Sequence, residues 1–173
     1  MKKLTFALFV AFGATLFVSC GPKVDTPENL GKSLLEAISS QDKEAFAELF
    51  ITKEEMTSLF DEAGKNQKDE SSKKQVEDYK SAMVGSFDDV VTKNMTTSYD
   101  RTIEKANKKG IKWDEVEFVR VESKEDNDLF KSVDCRVYFK TDNSTDLFLM
   151  FSAFQIGDEW KIVSSEGGIG GFK

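Results

Sequence analysis

Glu115 and Glu117 are a pair whose type and spacing suit chemistry. Two residues apart on a strand, they point to one side, which serves a metal ion or an acid–base pair, or keeps an edge strand soluble by charge. Ser71-Ser72-Lys73-Lys74 contains the Ser-x-x-Lys spacing of a lysine-activated nucleophile. It stands in a polar stretch, with no Ser-Asp-Asn or Lys-Thr-Gly elsewhere to complete such a site. Asp88 and Asp89 are consecutive on a helix and diverge by about 100°, so they do not form a pair. Asp142 to Asp146 alternates oxygen ligands but lacks the central Gly and closing Glu of a calcium loop. Gly167 to Gly171 follows a strand and precedes no helix, and so offers phosphate no helix N-terminus. The chain has no histidine. That excludes Ser-His-Asp and Cys-His catalysis, His-ligated zinc or haem, and imidazole switching. No cofactor or metal is implied, and no catalytic residue is assigned.

The two cysteines have separate roles. Lys2 and Lys3 precede an apolar run from Leu4 to Val18, which ends in Phe17-Val18-Ser19-Cys20-Gly21. As a helix that run is roughly 22 Å long, short of a bilayer core of about 30 Å, so it reads as a cleaved segment. The ending resembles the lipobox of bacterial lipoproteins, in which a small residue precedes a cysteine that is acylated and becomes the new N-terminus. The resemblance implies lipid attachment at Cys20, a membrane partner through that anchor, and a place in the bacterial cell envelope, with the outer membrane expected. Cys135 then has no disulfide partner. It alternates with Val133, Val137 and Phe139 on the apolar side of a period-two segment, the setting of an inert core thiol.

Lys and Arg number 24 against 31 Asp and Glu, for a net charge of −7, and losing Lys2 and Lys3 makes it more negative. No basic stripe interleaved with aromatics offsets this, so no nucleic-acid partner is expected.

The elements that must position any site follow from local signals. Thr26 caps a helix with Pro27 at its first position, and Leu30, Leu34 and Ile38 form its stripe. A short second helix carries Ala45, Phe46, Leu49 and Phe50. Thr52 and Glu55 form a capping box for a third, presenting Met56, Leu59, Phe60 and Ala63. Gly64 to Gln75 reads as a solvated loop or helix start. From Val76 through Tyr79, Met83, Phe87, Val91, Met95, Tyr99 and Ile103 to Ala106 the helical period continues, with Gly85 a point of kinking or breakage. Four strands follow, at 115–123, 130–140, 147–156 and 160–164. Val116 and Phe118 fall out of phase with Val119 and Val121, which calls for a bulge or two covered faces. Leu147 to Ile156 is apolar on both faces and belongs at the sheet's centre. The expected organisation is a signal peptide at 1–19, a tether at 20–26, one α+β domain at 27–166 with helices packed on a four-stranded antiparallel meander, and a flexible Gly-rich tail at 167–173.

Leu34-Leu35-Glu36-Ala37-Ile38 through Ala45-Phe46-Ala47-Glu48-Leu49-Phe50, and the final hairpin around Trp160, carry a second resemblance. The chain is similar to the cystatin-like folds and, among them, the nuclear-transport-factor-like superfamily that includes ketosteroid isomerase. This implies a curved sheet around helices, often with a pocket at one end. Two functions are therefore expected. One is non-catalytic binding of a small apolar ligand or an envelope protein. The other is a pocket enzyme using carboxylate and tyrosine, for which a buried Asp or Glu beside a Tyr is the discriminating feature. Arg136 and Tyr138, on the polar face of the second strand, mark a candidate partner surface. Trp160, after the tight Gly157-Asp158-Glu159 turn, marks a candidate pocket mouth.

Overall fold

Pro27–Ser39 (α1) begins where Thr26 accepts a hydrogen bond from the Asn29 N–H at 3.1 Å. The computed structural model describes residues 24–126, 129–142 and 144–171. The signal peptide, Cys20 and the first part of the tether lie outside the described residues, as do two residues of the 124–128 turn, Asn143 in the acidic loop, and 172–173. Asp42 caps Lys43–Glu48 (α2), and the Thr52–Glu55 capping box opens Lys53–Asn66 (α3) with both reciprocal bonds in place, at 2.8 and 3.1 Å.

The long helical period resolves into two helices. Glu70–Gly85 (α4), capped by Asp69, stops at the suspected glycine. A π-helical turn, Asp88–Thr92, then leads into Lys93–Lys109 (α5). The continuous stripe was too generous. Of the residues on α4 only Val76 is buried, and Tyr79 is 52 % exposed. The reason is that α4 packs chiefly on α3 and reaches no broad apolar surface beyond it.

Glu117–Asp126 (β1), Ser132–Thr141 (β2), Ser144–Ile156 (β3) and Glu159–Ser165 (β4) form an antiparallel sheet in that order. The fold is thus α+β, helices on a four-stranded antiparallel meander. The out-of-phase valines are explained by a bulge between Phe118 and Arg120. It lets Phe118 and Val121 pair with Phe139 and Val137 on one face, and leaves Val119 at the edge, 41 % exposed. β3 lies inside the sheet, as its two-faced apolarity requires.

Helix α1 lies across the inner face. A Cβ on Gly31 would fall 2.6 Å from Val121 Cγ2 and 3.0 Å from Val137 Cγ2, so only glycine lets the helix approach this closely. Leu30, Leu34 and Ile38 pack there with Val133, Cys135, Val137 and Phe139.

The outer edge of β4 is closed by three separate pieces of chain. The Trp160 N–H donates to the Val24 carbonyl at 2.9 Å. Ile162 exchanges bonds with Leu49 and Ile51, each at 2.9 Å. The Asn94 amide, set just after the π-helical turn, donates to the Ser165 carbonyl and accepts from its N–H. An open edge would template aggregation; this one is capped, while β1 at the other side is protected by its bulge and its charges.

Two expected boundaries are corrected. The tether is already docked at Val24, which is buried and bonded to Trp160. The Gly-rich segment is not a free tail over 167–171. Gly167, at φ 60°, lies so close to α5 that a Cβ would stand 2.6 Å from Ser98 Cα, and the Gly168 N–H donates to Thr102 Oγ1 at 2.8 Å. Ile169 is buried, and Gly170–Gly171 (β5) pairs with Leu147 and Phe148 of β3. The glycines serve close approach, which composition alone reads as looseness.

Candidate functional site

The alternation along β2 sends Asp134, Arg136, Tyr138 and Lys140 to the face that none of the described helices covers. Register decides what each meets. Arg136 lies between Glu122 of β1 and Met150 of β3, and Tyr138 between Arg120 and Phe148. The β1 bulge is what turns Arg120 and Glu122 outward to join them.

The result is a layered cluster. Arg120 grips Glu122 Oε1 with Nε at 3.0 Å and Nη2 at 2.8 Å, and Tyr138 donates its hydroxyl to Glu122 Oε2 at 3.0 Å. The Arg120 guanidinium also lies 4.0 Å above the Tyr138 ring. Tyr138 and Phe148 have ring centroids 5.8 Å apart, and the Arg136 guanidinium sits 5.6 Å over Phe148. Beside it a trough of about 510 Å³ runs across the strands, lined among others by Lys124, Asp134, Arg136, Met150 and Ser152. Ser152 donates to Asp134 at 2.6 Å, and Lys140 pairs with Glu117 at 2.7 Å.

Every charge on this β2 face has a partner except one. Among the described residues the Arg136 guanidinium makes no hydrogen bond and no ion pair; it rests on Phe148 alone, with the Glu122 charge nearby.

A carboxylate and a tyrosine do meet here, but not as an acid–base pair needs. The hydrogen bonds from Arg120 first and Tyr138 second hold the Glu122 carboxyl below its ordinary range. A general base at neutral pH needs the opposite shift, through burial, and Glu122 is exposed.

The other candidates disperse. Glu115 lies in a 3₁₀ turn, Trp113–Glu115, before the strand begins, and pairs with Lys112 at 2.6 Å; Glu117 pairs with Lys140, so the two acids share no site. Ser71 and Lys74 are exposed on the first turns of α4. Cys135 is a free thiol 2 % exposed, and burial first, then the Asp134 charge, pushes it up to about 12. Among the described residues no group of three acidic or sulfur ligands could hold a metal ion.

Trp160 is 2 % exposed and lines neither the trough, nor a cleft between α3 and α4, nor one at the sheet's end. Lys131 covers its ring at 5.5 Å, while its strand partner Gln155 lines the end cleft. Arg120, Glu122, Phe148 and Met150 were missed as site residues. Their signal was the pairing register, which links residues some 10 to 30 positions apart.

No family model, curated protein or solved structure matches this chain.

Proposed function

We propose that this is a lipid-anchored protein of the bacterial cell envelope, held by acylated Cys20, whose domain acts by binding a protein partner on the open face of its sheet. The resemblance to the nuclear-transport-factor-like superfamily is part of the same proposal. The observation that carries the binding reading is Arg136, an unpaired guanidinium laid on Phe148 beside Tyr138 and Met150. Arg, Tyr, Phe and Met are the side chains enriched at interface centres. A guanidinium already stacked on an aromatic ring presents its donors to a partner carboxylate or carbonyl at low ordering cost. The trough beside it is open and lined by charges of both signs, a surface suited to a polar, side-chain-rich partner more than to a small apolar ligand.

Metabolic labelling with a fatty acid tests the anchor: label is expected on the wild type, and label persisting in Cys20→Ala defeats the assignment. A photo-crosslinking residue at 138, compared with one at exposed Glu54, tests the face in intact cells. A discrete adduct at 138 that disappears in Arg136→Glu is the expected result. Equal adducts at both positions, or none at 138, would remove the open face from the proposal.

A further inference from the structure

We infer that the end of the domain carrying Leu129, Phe130, Lys131 and Ile156 rests on the bilayer surface, with the apolar side chains of its cleft lying against the lipid at the headgroup boundary. This rests on the lipid anchor proposed above and adds to it an orientation and a docking surface.

The length of chain between anchor and domain is the first argument. Four residue steps separate Cys20 from Val24, and fully extended they span at most roughly 14 Å. Val24 is not a loose lead; its carbonyl accepts the Trp160 N–H at 2.9 Å. Trp160 opposes Gln155 across the β3–β4 pair, and the Gln155 N–H donates to the Lys131 carbonyl at 3.0 Å. The anchor therefore enters at the end of the sheet formed by the start of β2, the end of β3 and the Gly157-Asp158 turn. The opposite end, at Glu117, Lys140 and Asp142, lies about 30 Å away along ten-residue strands. A tether this short cannot place that far end at the membrane without lifting the near end over the lipid.

The near end is also built for such a surface. A cleft of about 370 Å³ opens there between α3 and the strand ends, lined in about equal measure by the apolar Leu59, Ala63, Leu129, Phe130 and Ile156 and by polar side chains that include Ser58, Asn66, Lys131 and Gln155. Leu129, Phe130 and Ile156 are each half-buried. Phe130 is fixed edge-on to Phe60 at 4.8 Å and lies 5.4 Å from Phe154, so its ring is a rigid part of that wall. Apolar and aromatic side chains with a flanking lysine are the composition found at the headgroup boundary. The cleft carries one acid, Glu62, and one base, Lys131, the adjoining turn adds the exposed Asp158 and Glu159, and the chain is acidic overall. Apolar contact, not charge, must hold this end down, so the docking should not weaken as salt rises.

The test uses the full-length, lipid-modified protein in vesicles of phosphatidylethanolamine and phosphatidylglycerol containing nitroxide-headgroup lipid. A fluorophore is placed at Asp158→Cys, beside the cleft, or at Asp142→Cys, at the far end; both positions are exposed and Cys135 is buried. Quenching at 158 several-fold above that at 142, not reduced by high salt, is expected. A second pair of substitutions, Leu129→Asp with Ile156→Asp, should lower quenching at 158 towards the level at 142 while the protein still sediments with vesicles. Ile156→Ser serves where the aspartates unfold the domain. Equal quenching at the two ends, or quenching at 158 indifferent to every cleft substitution, overturns the docking surface while leaving the anchor intact. Shielding at 158 without quenching, in a particle of twice the mass, would assign the cleft to a second copy and equally overturn it. Failure to sediment at all would defeat the anchor, and this inference with it.

Discussion

The two faces of β2 are made by the same ten residues and answer to different demands. Val133, Cys135, Val137 and Phe139 are each 2 % exposed or less, while Asp134, Arg136, Tyr138 and Lys140 stand outward one residue along. Inside, the demand is volume: each side chain fills space against α1. Outside, the demand of the fold is only solubility. Asp134, Tyr138 and Lys140 meet it by bonding to neighbouring strands, and Arg136 alone does not. An ordered charge that the fold does not use is where a function is best sought.

The inner face should break first and hardest. Phe139 is fully buried, and Trp113 stacks beside it with centroids 6.4 Å apart. Phe139→Ala is expected to lower stability by about 3–5 kcal/mol, read as a fall in the urea midpoint. It should also redden the emission of Trp113 as water reaches its ring. A loss under 1 kcal/mol would mean that this face is not the core.

Cys135 measures the same face without deleting anything. With its thiol pushed up to about 12 against an ordinary value near 9, the folded protein at pH 8 should hold about 1,000-fold less thiolate than the unfolded chain. For an acid whose pKa is raised by folding, the stabilisation is complete below the unfolded value and is lost as pH rises towards 12. A thiol reagent should therefore label the Cys20→Ala protein only in denaturant, and thermal stability should decline above pH 9. Prompt labelling of the native protein at pH 8 would contradict the burial.

Gly31 tests how closely the helix must approach that face. Alanine in a helix normally gains up to about 1 kcal/mol over glycine, while overpacking costs about 1–3 kcal/mol. With stiff Val121 only 2.6 Å from the added carbon, the second term should win, for a net loss of about 1 kcal/mol. Val121→Ala in the same chain should recover part of it. A more stable Gly31→Ala would show that the α1–sheet contact has slack.

This asymmetry also explains what could be read from the sequence. The inner face was legible because burial imposes a period: two along β2, and three to four along α1 from Leu30 to Ile38. The β1 bulge was legible as a break in phase between Phe118 and Val121. Helix starts were legible because Thr26 and Thr52 satisfy N–H groups within three residues. What stayed hidden depends on pairing across distance. Glu122 joins Tyr138 only through the register of β1 on β2, and Asn94 meets Ser165 across 71 residues. The same holds for Gly167 against Ser98 and for Trp160, whose exposure depends on Val24 and Lys131 coming to cover it. Local pattern gives the core, and register gives the site.

The smallest effect on folding is expected from the outer face, and there the separation of roles is tested most sharply. Arg136→Ala removes no hydrogen bond and no ion pair found among the described residues, so its stability should lie within about 0.5 kcal/mol of wild type. The crosslink from position 138 should nevertheless be lost. Glu122→Gln differs, because Arg120 and Tyr138 both bond to the charged carboxylate. Its depressed pKa means that its contribution is present above the unfolded carboxylate value and lost as pH falls through the lower folded value. The cluster should therefore stay intact across neutral and mildly acidic pH and come apart only in strong acid. Carbon-detected NMR of the Glu122 carboxyl would show a midpoint below the ordinary range, returning towards it in Arg120→Ala and only slightly in Arg136→Leu, whose charge is the smallest of the causes that lower it. If instead Arg136→Ala destabilised the fold as much as Phe139→Ala, the guanidinium would be structural, the two faces of β2 would answer to one demand, and the open face would lose its claim to a partner.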